Sequence, residues 1–245
     1  MSVSKRMSKT ALLGLIVSVI AIAVSAMAVL GYRGGTLHFV LAIERFTWGA
    51  YLAGTALFLS LLGLWFSRPR GVCRGLFPAL LGLVLALPLV WSTLWFEYAA
   101  HAYPPINDIS TDTEDPPSFW DVPNAVAYPG EEVAKLQQWG YPELKPLYLS
   151  MDTEQAFPLA SVVARDMGWE IVAENNEELQ IEAVDSSLLF GFKDNVVIRL
   201  QDVDGKTQVD VRSHSRLGKI DRGANAKRIK AYLLMLGKRV SASGS

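Results

Sequence analysis

The sequence predicts an α+β protein in two parts. Three N-terminal transmembrane helices come first, then a small domain with an antiparallel sheet of about four strands and two main helices. Three observations predict this. Residues 10–100 are nearly free of charge and hold three apolar runs long enough to cross a bilayer. Residues 101–245 have the composition of an ordinary polar domain. Within that domain, residues 169–215 alternate apolar and polar between short turn signals, flanked by segments of helical period.

The membrane anchor occupies residues 1–100, with spans at about 11–30, 47–66 and 75–96. Trp48, Trp65, Trp91 and Trp95 lie near span ends, where amphipathic rings favour the interface. Gly14, Gly49, Gly54, Gly63 and Gly82 offer places for close helix approach. The segment Gly34–Phe46 reads either as an amphipathic piece on the membrane surface or as the extended start of the second span. "VSAMA" at Val24–Ala28 resembles a signal-peptidase site, but the apolar run is longer than a usual signal core, which favours an uncleaved span.

Lys5, Arg6 and Lys9 precede the first span, and Arg68, Arg70 and Arg74 fill the loop between the second and third. Both clusters are expected in the cytoplasm. The expected location is therefore a bacterial inner membrane, with the N-terminus cytoplasmic and residues 101–245 periplasmic. The lone cysteine, Cys73, excludes an intramolecular disulfide.

The outer domain opens with an acidic, proline-rich strap, "PPINDISTDTEDPP", Pro104–Pro117. Prolines forbid long helices here. Phe119, Trp120, Tyr128, Trp139 and Tyr141 follow, too many large rings for a disordered spacer, so the strap is read as packed on the domain. A short helix is expected at Glu131–Gln138. Asp152 and Gln155 resemble a capping box before a helix carrying Ala156, Leu159, Ala160, Val163, Ala164 and Met167, with Pro158 expected to delay its start and Gly168 to stop it. "WEIVAE", "LQIEAV", "VVIRL" and "TQVDVRSHS" read as strands, with Asp204-Gly205 as a hairpin turn and "GFKDN" as a strand irregularity or bulge. A last helix is expected from about Asp221 to Leu236, ended by Gly237.

Two stretches draw chemical attention. Asp108, Ser110, Asp112 and Glu114 alternate as at the start of a calcium loop, but Thr113 and Phe119 stand where an EF-hand needs Gly and Glu. The segment Val211–Lys230 is basic, with Asp221 its only acid. Arg212, His214 and Arg216 share one strand face there, and Lys219 follows. They either bind an anion near the following helix N-terminus or pair with the strap carboxylates. Asp221 is expected to cap that helix. Ser213 and Ser215 lack a nucleophile-elbow pattern, no cluster has metal-ligand spacing, and no phosphate or dinucleotide loop is present. No cofactor or metal is expected, and the acidic outer region disfavours nucleic acid.

"PPINDISTDTEDPPSF", "YPELKPL", "FGFKDNVVIRL" and "VDVRSHSRLGKIDRGANAKRIKAYL" resemble the bacterial domain-of-unknown-function family 1499, over roughly residues 103–237. The resemblance implies that strap and basic segment form one domain unit, and it supplies no activity. Asp108 and Asp112 map to the strap motif; Arg212, Ser213, Ser215, Arg216, Gly218, Asp221, Gly223 and Asn225 map to the second. His214 stands where the resemblance implies an apolar residue. The expectation is a non-enzymatic envelope protein whose partners are the bilayer and an envelope lipid, a glycan or cell-wall component, or a membrane protein. Its candidate ligand-binding residues are Asp108, Asp112, Arg212, Arg216, Lys219 and Asn225. The alternatives are a membrane-anchored hydrolase using the same carboxylates and arginines, or a structural subunit of a membrane complex.

Overall fold

A computed structural model describes residues 6–68 and 73–243. Lys5 and Arg70, counted in the basic clusters above, lie outside the described residues. The chain divides into two compact units, Met1–Tyr98 and Ala99–Ser245.

The first unit holds α1 (Lys9–Arg33), α2 (Phe39–Ser67) and most of α3 (Leu76–Ala102). All three are long and apolar enough to cross a membrane, the mark of a membrane protein. Helix α2 starts at Phe39 and runs unbroken, so Gly34–Phe46 is mostly the extended start of the second span rather than a separate surface piece. His38 caps it, its Nδ1 accepting from the Val40 amide. Two-residue strands β1 (Arg6–Met7) and β2 (Cys73–Arg74) pair in parallel. Small residues bring the helices together. A Cβ on Gly14 would stand 2.5 Å from Ser60 Oγ, and one on Gly63 would stand 2.6 Å from Ala11 Cα. Gly49 meets Ser25 in the same way and Gly82 meets Ser60, whereas Gly54 faces open space.

The second unit is a six-stranded sheet with two helices packed on one face. The strands are β3 (Asp108–Ser110), β4 (Leu147–Leu149), β5 (Glu170–Asn175), β6 (Gln180–Ser186), β7 (Lys193–Val203) and β8 (Lys206–Ser215). β5 to β8 form the expected antiparallel meander. The sheet exceeds the four strands expected because β3 and β4 both pair antiparallel with the outer edge of β8. Each has three residues, too few for a period to show in sequence. β3 lies inside the acidic strap, so the strap is part of the sheet.

Helices α4 (Glu131–Gly140), α5 (Thr153–Asp166) and α6 (Ala224–Ser243) complete the domain. Ala156, Ala160, Val163 and Ala164 of α5 and Ala226, Ile229, Tyr232 and Leu236 of α6 form one core with Ile181, Ala183, Val196, Ile198, Leu200, Val209 and Val211. Three local expectations need correction. Pro158 does not delay α5, which starts at Thr153. The Asp152 side chain makes no cap bond; its carbonyl instead accepts from Gln155 and Ala156 at 3.1 and 3.0 Å. Gly237 does not end α6, because the apolar stripe continues to Val240, which packs on the core and outweighs a glycine cost of about 1 kcal/mol. Gly168 does end α5, at φ 81°, with Trp169 N–H on the Ala164 carbonyl.

Candidate functional site

The sheet has a second buried face, and the strap, taken with the irregular segment that continues it to Tyr128, covers it. Register places Asp108, Ser110, Asn195, Val197, Arg199, Glu182, Val184, Asp210, Arg212 and His214 on that face. Phe119 and Val122 of the strap pack there against Val184 and Val197. Apolar burial alone does not hold an irregular segment, because its backbone amides need acceptors. Glu182, 1% exposed, supplies them: its carboxylate accepts from the amides of Trp120, Asp121 and Val122 at 2.6, 3.0 and 2.9 Å. Gln137 of α4 pins β3, with Oε1 on the Ser110 N–H and Nε2 on its carbonyl.

Arg212 is the centre of this face. Its Nε and Nη2 grip the two oxygens of Asp108 at 2.9 and 2.7 Å. Its remaining donors reach the carbonyls of Pro117 and Val126 at 3.1 and 3.0 Å, and its guanidinium lies 4.7 Å from the Phe119 ring centroid. Both partners are closed to solvent, at 1% and 0% exposure. Tyr128 lies on the same guanidinium; burial and then Asp108 push its hydroxyl up to about 12, against the pull of Arg212. Beside them, burial lowers the His214 pKa; Asp108 and Asp194 raise it, and Arg212 adds to the lowering.

The other predicted residues disperse. Asp112 turns its Oδ1 to the amides of Glu114 and Asp115, both at 3.0 Å, and its Oδ2 to Arg199 at 3.5 Å. Arg216 donates to Asn195 at 2.7 Å, and Lys219 is exposed on the loop that follows. Asn225, fully buried, lies at the start of α6, where Ser213 of the helix-side face donates to it at 2.7 Å. Its amide nitrogen reaches the Asn107 carbonyl and Ser215 Oγ, both at 3.0 Å. Asp221 caps α6 as expected, accepting from the Gly223 and Asn225 amides at 2.9 Å, and burial raises its carboxyl pKa. Arg228 joins this network and bonds Asp185 and Asp194, both at 2.6 Å. So the structure unites Asp108 with Arg212 and buries both, while Asn225 serves the opposite face.

Sequence reasoning missed Arg199 and Glu182, which strand alternation assigns to solvent. Arg199 binds Asp115 at 2.9 Å and Asp210 at 3.3 Å. It also lines a cleft of about 280 Å³ with Ser118, Trp120, Glu178, Gln180 and Gln201 at the strap's edge. Trp120 is 53% exposed there, and Arg199 Nε is buried with no hydrogen-bond partner. Among the described residues, no group of three or more His, Cys, Asp or Glu side chains is placed to hold a metal ion.

A search of curated proteins finds no match to the chain. A family model for proteins of unknown function, DUF1499, matches residues 108–236. That match is just over half of the 245 residues and runs from Asp108 of β3 into α6. The chain belongs to the DUF1499 family.

Proposed function

We propose that this protein is a non-catalytic binding module of the bacterial cell envelope. Three spans anchor it in the inner membrane, the N-terminus is cytoplasmic, and the outer domain faces the periplasm. Arg6 before α1 and Lys9 at its first position, with Arg68 and Arg74 between α2 and α3, support that orientation by the positive-inside rule. The ligand is a saccharide-containing cell-wall component held in the cleft at the strap's edge. The observation that carries this reading is the cleft itself: an exposed Trp120 beside the exposed side chains of Gln201 and Glu178. An aromatic platform with convergent hydrogen-bonding groups suits a polyhydroxylated ring. A binding role is favoured over hydrolysis because the carboxylates and arginines of the two motifs spend their bonds on each other and on backbone.

Isothermal titration of the full chain in nanodiscs with N-acetylglucosamine–muramyl peptide fragments tests this. Binding that is lost in Trp120→Ala and Gln201→Ala but retained in Lys219→Ala is expected. A wild-type protein that takes up no heat with any such fragment overturns the saccharide reading.

A further inference from the structure

The turn between β6 and β7 breaks the rule that the other meander turns follow. The β7–β8 connection is Asp204-Gly205, and the β5–β6 connection, Asn176–Leu179, is polar apart from Leu179, which packs on the core. The β6–β7 connection is "SLLFGF", residues 187–192. It is an ordered loop rather than the strand bulge expected at "GFKDN". Ser187 N–H bonds the Phe192 carbonyl at 2.8 Å, Phe192 N–H bonds Ser187 Oγ at 2.9 Å, and Gly191 N–H bonds the Ser187 carbonyl at 2.8 Å. Phe190 and Phe192 stack at 4.8 Å. This closed turn holds Leu188 and Leu189 outward, at 96% and 52% exposure. Two leucines on a braced tip are an apolar projection that water disfavours, the kind of feature that marks an interaction site.

The surroundings select the occupant. Lys193 and Lys219 are exposed at the same sheet end, and Arg216 is joined to it through its N–H on the Lys193 carbonyl. Leu217, 38% exposed, adds to the apolar surface. The nearby acids, Asp185 and Asp194, share one guanidinium, that of Arg228, and Asp221 is turned onto the α6 amides. The exposed charges named beside the apolar tip, Lys193 and Lys219, are both positive, the pattern of a membrane-surface contact. This sheet end is also where the chain enters the domain. Ser215, cross-strand from Asp194, donates to the Asn107 carbonyl at 2.9 Å, and only residues 103–107 separate the end of α3 from β3.

We infer that the Leu188–Leu189 loop is a membrane-inserting tip that, with Lys193 and Lys219, seats the outer domain on an anionic lipid surface. This is independent of the saccharide cleft. The test uses the full chain in phosphatidylglycerol-containing nanodiscs, with Cys73→Ala and a single new cysteine carrying an environment-sensitive nitrobenzoxadiazole label. Leu188→Cys probes the tip, and Asp204→Cys probes the turn at the opposite end of β7. Expected is a blue-shifted emission at position 188 that nitroxide-labelled lipid quenches, with aqueous, unquenched emission at position 204. Aqueous emission at both positions overturns the inference. So does a blue shift at 188 that lipid nitroxide leaves unquenched, since that tip would be covered by protein instead.

Discussion

Arg212 and Asp108, 104 residues apart in sequence, form a two-pronged ion pair between adjacent strands, both closed to solvent. It ties the start of the strap to the last strand of the meander. Burying either charge alone is far costlier than burying the pair. Asp108→Ala or Arg212→Ala should destabilise the outer domain by about 3–5 kcal/mol. Arg212→Lys should recover little, because an ammonium cannot grip both oxygens and reach the Pro117 and Val126 carbonyls together. Urea unfolding followed by near-ultraviolet circular dichroism checks both; a lysine variant with wild-type stability contradicts the bidentate account.

Glu182 anchors the middle of the strap through three consecutive amides. Glu182→Gln keeps the shape but replaces one acceptor oxygen with a donor that faces an N–H. The expected cost is about 1–3 kcal/mol. Its signature is local: amides 120–122 should lose hydrogen-exchange protection well before those of β7. Equal loss of protection across the whole domain would show that Glu182 acts on the fold as a unit.

How much of this was legible in the sequence follows from how local each signal is. Spans and meander declare themselves by length, alternation and the Asp204-Gly205 turn, whose φ values of 54° and 73° suit those residues. The strap's cover of the second face does not, because an irregular segment has no period. Val184 and Val197 sit at positions alternation assigns to solvent, and Phe119 and Val122, far off in sequence, pack against them. The same blindness hid Arg199 and Glu182. The two charged motifs did point to Asp108 and Arg212 as partners, but not to the separation of Asn225 onto the other face.

His214 makes stability depend on pH. Its Nδ1 is buried without a partner, and burial lowers its pKa from 6.5, with Asp108 and Asp194 opposing and Arg212 reinforcing the effect. The unfolded chain therefore binds the proton first as pH falls. Stability is full above about 6.5 and declines as pH drops toward the lowered folded value. Melting temperatures between pH 7.5 and 5 should fall less steeply for His214→Asn than for wild type. Parallel slopes would assign the acid sensitivity to other groups.

The helices of the first unit offer a matched pair of glycines. A Cβ on Gly63 would stand 2.6 Å from the Ala11 Cα and 2.9 Å from its nitrogen, so backbone must move to admit it. Gly54 lies on the same helix with nothing within 4 Å. Gly63→Ala should destabilise α1–α2 packing by about 1–3 kcal/mol through overpacking. Gly54→Ala should be neutral or should stabilise by up to about 1 kcal/mol through helix propensity. Thermal unfolding of both variants in detergent micelles separates the two effects, since composition and helix are the same and only the neighbour differs. Equal losses at both sites would mean that chain flexibility, not close approach, is what glycine contributes there.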